Sequence, residues 1–326
     1  RHALVATRRG LFLYDADHRH AFARRMNESP AAASARASPF TCVLDQRASL
    51  GESPVWSIDE QVLYFVDINA PSIVRFDPAR GTATSMPMPS AIGCMALRVG
   101  GGFIVALRDG IFLVARDGAI GARLAAPPYD PANHRFNDGR CDLQGRFFAG
   151  SMNEKRDGPS GSLVRLDPDR SLHVVLERMT ISNGLAWSPD GLTMYHADTP
   201  TRTIRAFDYD AVRGMPSHPR VFAAFDGETD RPDGGTIDSA GNYWSAFYGG
   251  GKVVKLSPRG ERLAEYATPA KCPTMCALGG PDLCTLYVTS ARNCRPHDEL
   301  ARLPQYGGVF AMRVHTPGRP EPRFAG

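Results

Sequence analysis

The chain has 326 residues, 43% of them hydrophobic, which suits one or two globular domains. Its formal charge of +4 resides in residues 1–39; the rest balances acids and bases, which argues against nucleic acid as a partner. No apolar run approaches the roughly 18 residues needed to span a bilayer, so no membrane partner is expected.

Residues 1–39 read as a basic, low-complexity extension. Arg8-Arg9, Arg24-Arg25 and the Ala/Ser-rich run from Pro30 to Pro39 lack the n-region, h-region and cleavage pattern of a secretory signal. The segment is expected to be disordered, with His18 and His20 facing solvent. One ordered domain is expected over residues 40–326.

A repeat then runs down the chain. Val55-Trp56-Ser57-Ile58-Asp59-Glu60 leads into Gln61–Asp67, a β-branched and aromatic run typical of a doubly buried strand, followed by Ser72–Pro78. Gly101–Leu107 leads to Gly110–Gly118, and Asp142–Gly150 to Gly161–Pro168. Ser188-Pro189-Asp190-Gly191 opens a strand to Asp198, followed by Thr203–Asp208. Asp238–Phe247 leads to Gly251–Pro258, and Gly279–Thr289 to Gly308–Met312. These six units begin near residues 56, 100, 142, 188, 238 and 280. Their period of about 45 residues is that of a four-stranded propeller blade. No long segment carries apolar residues at i, i+3, i+4 and i+7, so helix should be scarce. The fold class is therefore all-β, a six-bladed β-propeller, with Phe40–Asp45 offering a strand that could close the ring.

In such a ring, equivalent positions face a common axis. The polar residues just ahead of each blade-opening turn are Glu52, then Arg135, Asn137 and Asp138, then Asn183, then Asp233. Taken singly, each could merely close an Asx-turn, as Asn-Gly and Asp-Gly often do. Taken together, they gather carboxylates and amides at one end of the channel. Oxygen ligands suit a hard divalent cation, which would polarise a carbonyl and lower the pKa of bound water. The cysteines point elsewhere. Cys272, Cys276, Cys284 and Cys294 lack paired C-x-x-C spacing and read as ordinary buried thiols, in keeping with a reducing, cytoplasmic setting. Trp56, Trp187 and Trp244 read as blade core, and Gly249-Gly250-Gly251-Lys252 as an inter-strand turn rather than a phosphate loop.

From residue 46 to about 314 the sequence resembles the gluconolactonase/regucalcin, or senescence-marker-protein, family. The resemblance is carried by Leu50–Trp56, Asn137–Asp142, Gly145–Met152, Ser182–Gly191 and Pro232-Asp233-Gly234. It implies a metal-dependent hydrolase that opens a sugar lactone to the aldonic acid. Glu52, Asn183 and Asp233 would hold one divalent cation (Ca2+, Zn2+, Mg2+ or Mn2+), and Asp233 would act as general base. Arg135, Asn137 and Glu154 would contact the substrate. A monomer or weak oligomer is expected. The rival reading is a non-catalytic calcium-binding or scaffold propeller. The loops Asn153–Ser160 and Arg292–Gln305 are expected to choose among lactones.

Overall fold

The computed structural model describes residues 2–7, 10–15, 38–293 and 295–326. Within the basic extension it describes an antiparallel hairpin, His2–Thr7 with Gly10–Asp15, where the sequence suggested disorder. The remainder of the expected disorder, with His18 and His20, lies outside the described residues, as does Cys294. Residues 38–326 form a compact unit of their own.

That unit is a ring of six four-stranded antiparallel sheets, a six-bladed β-propeller. The innermost strands are Gly51–Ser57, Ile92–Leu97, His134–Cys141, Ser182–Trp187, Pro232–Ile237 and Pro273–Gly279. Second strands such as Val62–Asp67 and Phe103–Leu107 are buried on both faces, which is why they read as continuous apolar runs. Outermost strands such as Thr82–Pro87 and Ile120–Ala125 are largely exposed. Among the described residues, helix is confined to His297–Arg302 and a 3-10 turn at Thr199–Thr201. Among the described residues no helix is long and apolar enough to cross a membrane.

One correction concerns register along the repeat. The Pro/Asp/Gly turns that mark each unit connect the first strand of a blade to the second. The repeat as read from sequence therefore begins one strand late, and the polar residues ahead of each turn lie on the innermost strands, not on entry loops.

The core is distributed between blades. Six apolar clusters each bridge one pair of neighbouring blades; Phe148, Trp187 and Tyr209 join the third to the fourth, and Trp56, Phe65 and Tyr287 join the first to the sixth. Trp56, Trp187 and Trp244 are all buried in these seams. The ring is closed by a strand from the other end of the domain: Thr41–Leu44 pairs antiparallel with Val309–Arg313, with Phe310 opposite Cys42. Phe40, just ahead of it, is buried between the fifth and sixth blades.

Residues 317–326 cross the face of the ring that carries the first-to-second-strand turns, touching every blade. Ser239 donates its N–H to the Pro317 carbonyl, Gly318 to Leu283, and Ala325 to Gly145, each at 2.8–3.0 Å. The Arg319 guanidinium donates to the Pro189 carbonyl (2.6 Å), Arg323 pairs with Asp59 (2.7 Å), and Phe324 bridges Arg98. Glu321 reaches into the channel and pairs with Arg140 at 3.3 Å.

Candidate active site

At the opposite end of the channel lies a cavity of about 630 Å3. Glu52, Arg135, Asn137, Asn183 and Asp233 all line it, so five of the six side chains singled out from sequence meet in one space. The backbone explains how. Each innermost strand slips register against its neighbour at this depth: between Glu52 and Val55, Phe136 and Gly139, Asn183 and Ala186, and Pro232 and Gly235. A bulge breaks the alternation of a strand and re-aims side chains, here at the channel. The fourth blade needs Gly184 for this. Its φ is +64°, and a Cβ there would sit 2.5 Å from the Tyr243 hydroxyl. That hydroxyl donates to the Gly184 carbonyl at 2.6 Å.

A relay of hydrogen bonds fixes the amides. Arg135 Nη1 donates to the Phe136 carbonyl (2.8 Å) and to Asn137 Oδ1 (2.7 Å). Asn137 Nδ2 donates to the Ser182 carbonyl (3.0 Å) and to Asn183 Oδ1 (2.8 Å). Asn183 Nδ2 donates to Thr199 Oγ1, and the Thr199 hydroxyl to the Pro232 carbonyl, both at 2.8 Å. Asn183 is thus locked with one lone pair of Oδ1 still available. Asn137 spends both amide hydrogens inside the protein, so only its oxygen has capacity left for a substrate hydroxyl. That limits the direct contact the sequence assigned to it and makes it chiefly the residue that orients Asn183.

The carboxylates are electrostatically unsatisfied. Glu52 and Asp233 are 7% and 6% exposed, and neither forms an ion pair among the described residues. Burial pushes the pKa of Glu52 well above the ordinary carboxylate range, and the neighbouring Asp233 and Asp138 carboxylates push it further. Asp233 is raised well above that range by burial and then by Asp138. Asp138 is raised by burial against the pull of Arg140; its Oδ2 accepts from the Leu185 N–H at 3.0 Å, while its buried Oδ1 has no partner. Arg135 is also buried, and desolvation lowers its pKa.

These donors fit a hard divalent cation. Two buried carboxylates without counterions plus an amide oxygen held in place form an oxygen-only set from the first, fourth and fifth blades. The cysteines form no metal cluster among the described residues; Cys272 and Cys276 are buried free thiols.

Glu154 departs from expectation. It is absent from the cavity lining, and its carboxylate is gripped by Arg108 at 2.7 and 2.9 Å, with Arg135 Nε 3.9 Å away. Its position, one residue past the strand Phe147–Asn153, turns it to the rim. His134 is held by Ser160 at 2.9 Å and does not line the cavity.

Arg156 lines the cavity from the loop Asn153–Ser160 expected to choose among lactones, whereas sequence reasoning missed Thr199, Arg202, Arg231 and Tyr248. Most follow a second strand: Arg156 after Phe147–Asn153, Arg202 after Thr193–Asp198, Tyr248 after Tyr243–Phe247. In an up-and-down blade that connection returns to the same face as the start of the innermost strand. Counting strands would have placed these loops at the mouth.

Known proteins resemble this chain over most of its length. Residues 50–292 match the profile of the SMP-30/Gluconolactonase/LRE-like region. A 6-deoxy-6-sulfogluconolactonase of Pseudomonas putida is 48% identical over 287 residues, covering 87% of this chain and 98% of that protein. Regucalcin of Xenopus laevis is 36% identical, covering 83% of this chain and 93% of the relative. Among solved structures, a calcium-binding regucalcin from Agrobacterium tumefaciens superposes with a TM-score of 0.83 at 28% identity, covering 87% of this chain and 96% of that one.

Proposed function

Because the chain belongs to the SMP-30/gluconolactonase/LRE-like family and is a gluconolactonase-like hydrolase, we propose that it opens a sulfonated aldonolactone, of the kind named for its 48%-identical relative, at the floor of this cavity. Glu52, Asn183 and Asp233 would hold one divalent cation. When bound, that cation supplies neutralisation of the two carboxylates and polarisation of the lactone carbonyl.

The remaining work falls to the chain's own side chains. Arg135 presents its unused N–H groups to substrate oxygens, held in place by Phe136 and Asn137. Asp233 accepts a proton from the attacking water. The water oxygen bonds to the carbonyl carbon, the ring C–O bond breaks, and the proton passes to the departing ring oxygen. The product is the open-chain hydroxy acid, which ionises at neutral pH.

The observation that carries this reading is the pair of buried carboxylates, Glu52 and Asp233, facing one cavity beside an oriented amide and without an ion-pair partner among the described residues. A mere scaffold has no use for that cost. The test is a pH-drop assay over a panel of aldonolactones and divalent ions. Asp233→Asn is expected to lose about 10^2-fold or more in kcat, and chelation to stop turnover until an ion is returned. Wild-type turnover by Asp233→Asn at saturating cation would remove Asp233 as base. Activity that survives chelation would remove the cation.

A further inference from the structure

Resting on the lactonase reading, we infer that Arg202 and Arg231, with Arg156 of the neighbouring third blade, form an anion subsite that binds the sulfonate of the substrate. It lies at the end of the sugar remote from the carbonyl being attacked.

All three guanidinium groups line the same cavity as Glu52, Asn183 and Asp233. None forms an ion pair among the described residues, although most of the other arginines near the channel do, such as Arg108 with Glu154 and Arg140 with Glu321. Among the described residues, the only carboxylate lining this wall besides the floor pair is that of Glu228. With the floor charge met by a divalent cation, the wall is left net positive. A net-positive cluster of arginines without ion-pair partners, inside a substrate cavity, is complementary to an anion in the substrate.

The chain also invests in aiming these residues. Arg156 and Arg202 have φ of +54° and +55°, Arg202 as the left-handed cap of the 3-10 turn Thr199–Thr201. Arg202 Nη1 is braced by the carbonyls of Asp226 (3.2 Å) and Gly227 (3.4 Å). Those acceptors orient the group but do not neutralise it. Both arginines connect directly to the floor. Arg231 lies two residues ahead of Asp233, and Arg202 donates its backbone N–H to the carbonyl of Thr199, whose hydroxyl bonds Pro232. Arg202 and Arg231 thus belong to the fourth and fifth blades, the same two blades that supply Asn183 and Asp233. A sulfonate offers three oxygens and a permanent charge to forked guanidinium donors.

The experiment compares kcat/KM for 6-deoxy-6-sulfogluconolactone, the 6-phospho analogue and neutral gluconolactone in wild type, Arg202→Gln, Arg231→Gln and the double variant. Wild type should favour the sulfonated lactone over the neutral one by ~10-fold or more, and the preference should shrink with added salt. Each variant should lose ~10-fold or more on the sulfonated lactone, mainly through KM, and change less than about threefold on the neutral one. Equal loss on both lactones would mean a structural role, and no loss on either would leave no subsite; both overturn the inference. A stronger preference for the phosphorylated analogue would overturn the sulfonate assignment. Turnover of neutral lactones with no anionic preference removes the subsite and leaves the lactonase standing. If no lactone is opened, the lactonase reading falls by itself. Calorimetric binding of 6-deoxy-6-sulfogluconate, retained or lost in the double variant, then decides the subsite independently.

Discussion

His196 shows how a single side chain couples this fold to pH. It is fully enclosed beside the site, its Nε2 2.7 Å from Ser182 Oγ. Burial, helped by Arg205, pulls its pKa down to about 4 from an ordinary 6.5. The folded state then refuses a proton that the unfolded chain accepts. Above the ordinary value both states are neutral and nothing is at stake. As pH falls from about 6.5 toward 4, stability drains away by roughly 3 kcal/mol. His196→Gln should flatten that acid limb, measured as the urea midpoint at a series of pH values. An acid limb as steep as that of the wild type would mean that other groups drive the loss. The same reasoning about burial separates Glu154 from Glu52. Glu154 sits at the rim, and its Arg108 partner lowers its pKa; Glu52 has no such partner and carries the cost of its position.

At the scale of elements, closure depends on Thr41–Leu44 and on the residue that docks it. Phe40 fills the seam between the fifth and sixth blades together with Trp244 and Phe310. Phe40→Ala should cost about 3 kcal/mol, read as a lower urea midpoint, with turnover at permissive temperature unchanged because Phe40 does not line the cavity. A loss within about 0.5 kcal/mol would mean the ring closes without that anchor.

The strands differ in how far they can be read from sequence. The second strands and their preceding turns are legible, since Ser188-Pro189-Asp190-Gly191 and Asp238–Gly241 punctuate long apolar runs. The innermost strands are not: Pro232–Ile237 reads Pro-Asp-Gly-Gly-Thr-Ile, turn chemistry that the bulge and the tight axial packing demand. The exposed outermost strands, such as Thr82–Pro87, carry little hydrophobic signal. Glu52, Asn183 and Asp233 stand out because each holds a similar place in the repeat. Arg202 and Arg231 do not, because only the strand count of a blade reveals which face its connections reach.

For the molecule as a whole, the site and the ring support each other. The three residues that would hold the cation come from the first, fourth and fifth blades, so the ion would tie together strands far apart in sequence. Without it, Glu52 and Asp233 keep protons that the unfolded chain gives up near 4.5 and 3.8, so the metal-free fold should weaken as pH rises through and above that range. A cation replaces those protons, and its effect should therefore grow with pH. At a hundred times Kd the gain is about 2.7 kcal/mol. Melting temperatures with and without divalent ion should diverge more at pH 8 than at pH 5, and Asp233→Asn should remove most of the difference. A shift of equal size at both pH values would count against the carboxylates as ligands.

The segment 317–326 carries one more implication. By lying over the far mouth and pairing Glu321 with Arg140, it covers the end of the channel remote from the substrate cavity. Arrival of the neutral ester ring and departure of the newly ionised acid must then take turns at a single doorway. The departing molecule has one more negative charge than the arriving one, and it must travel outward past the same guanidinium groups.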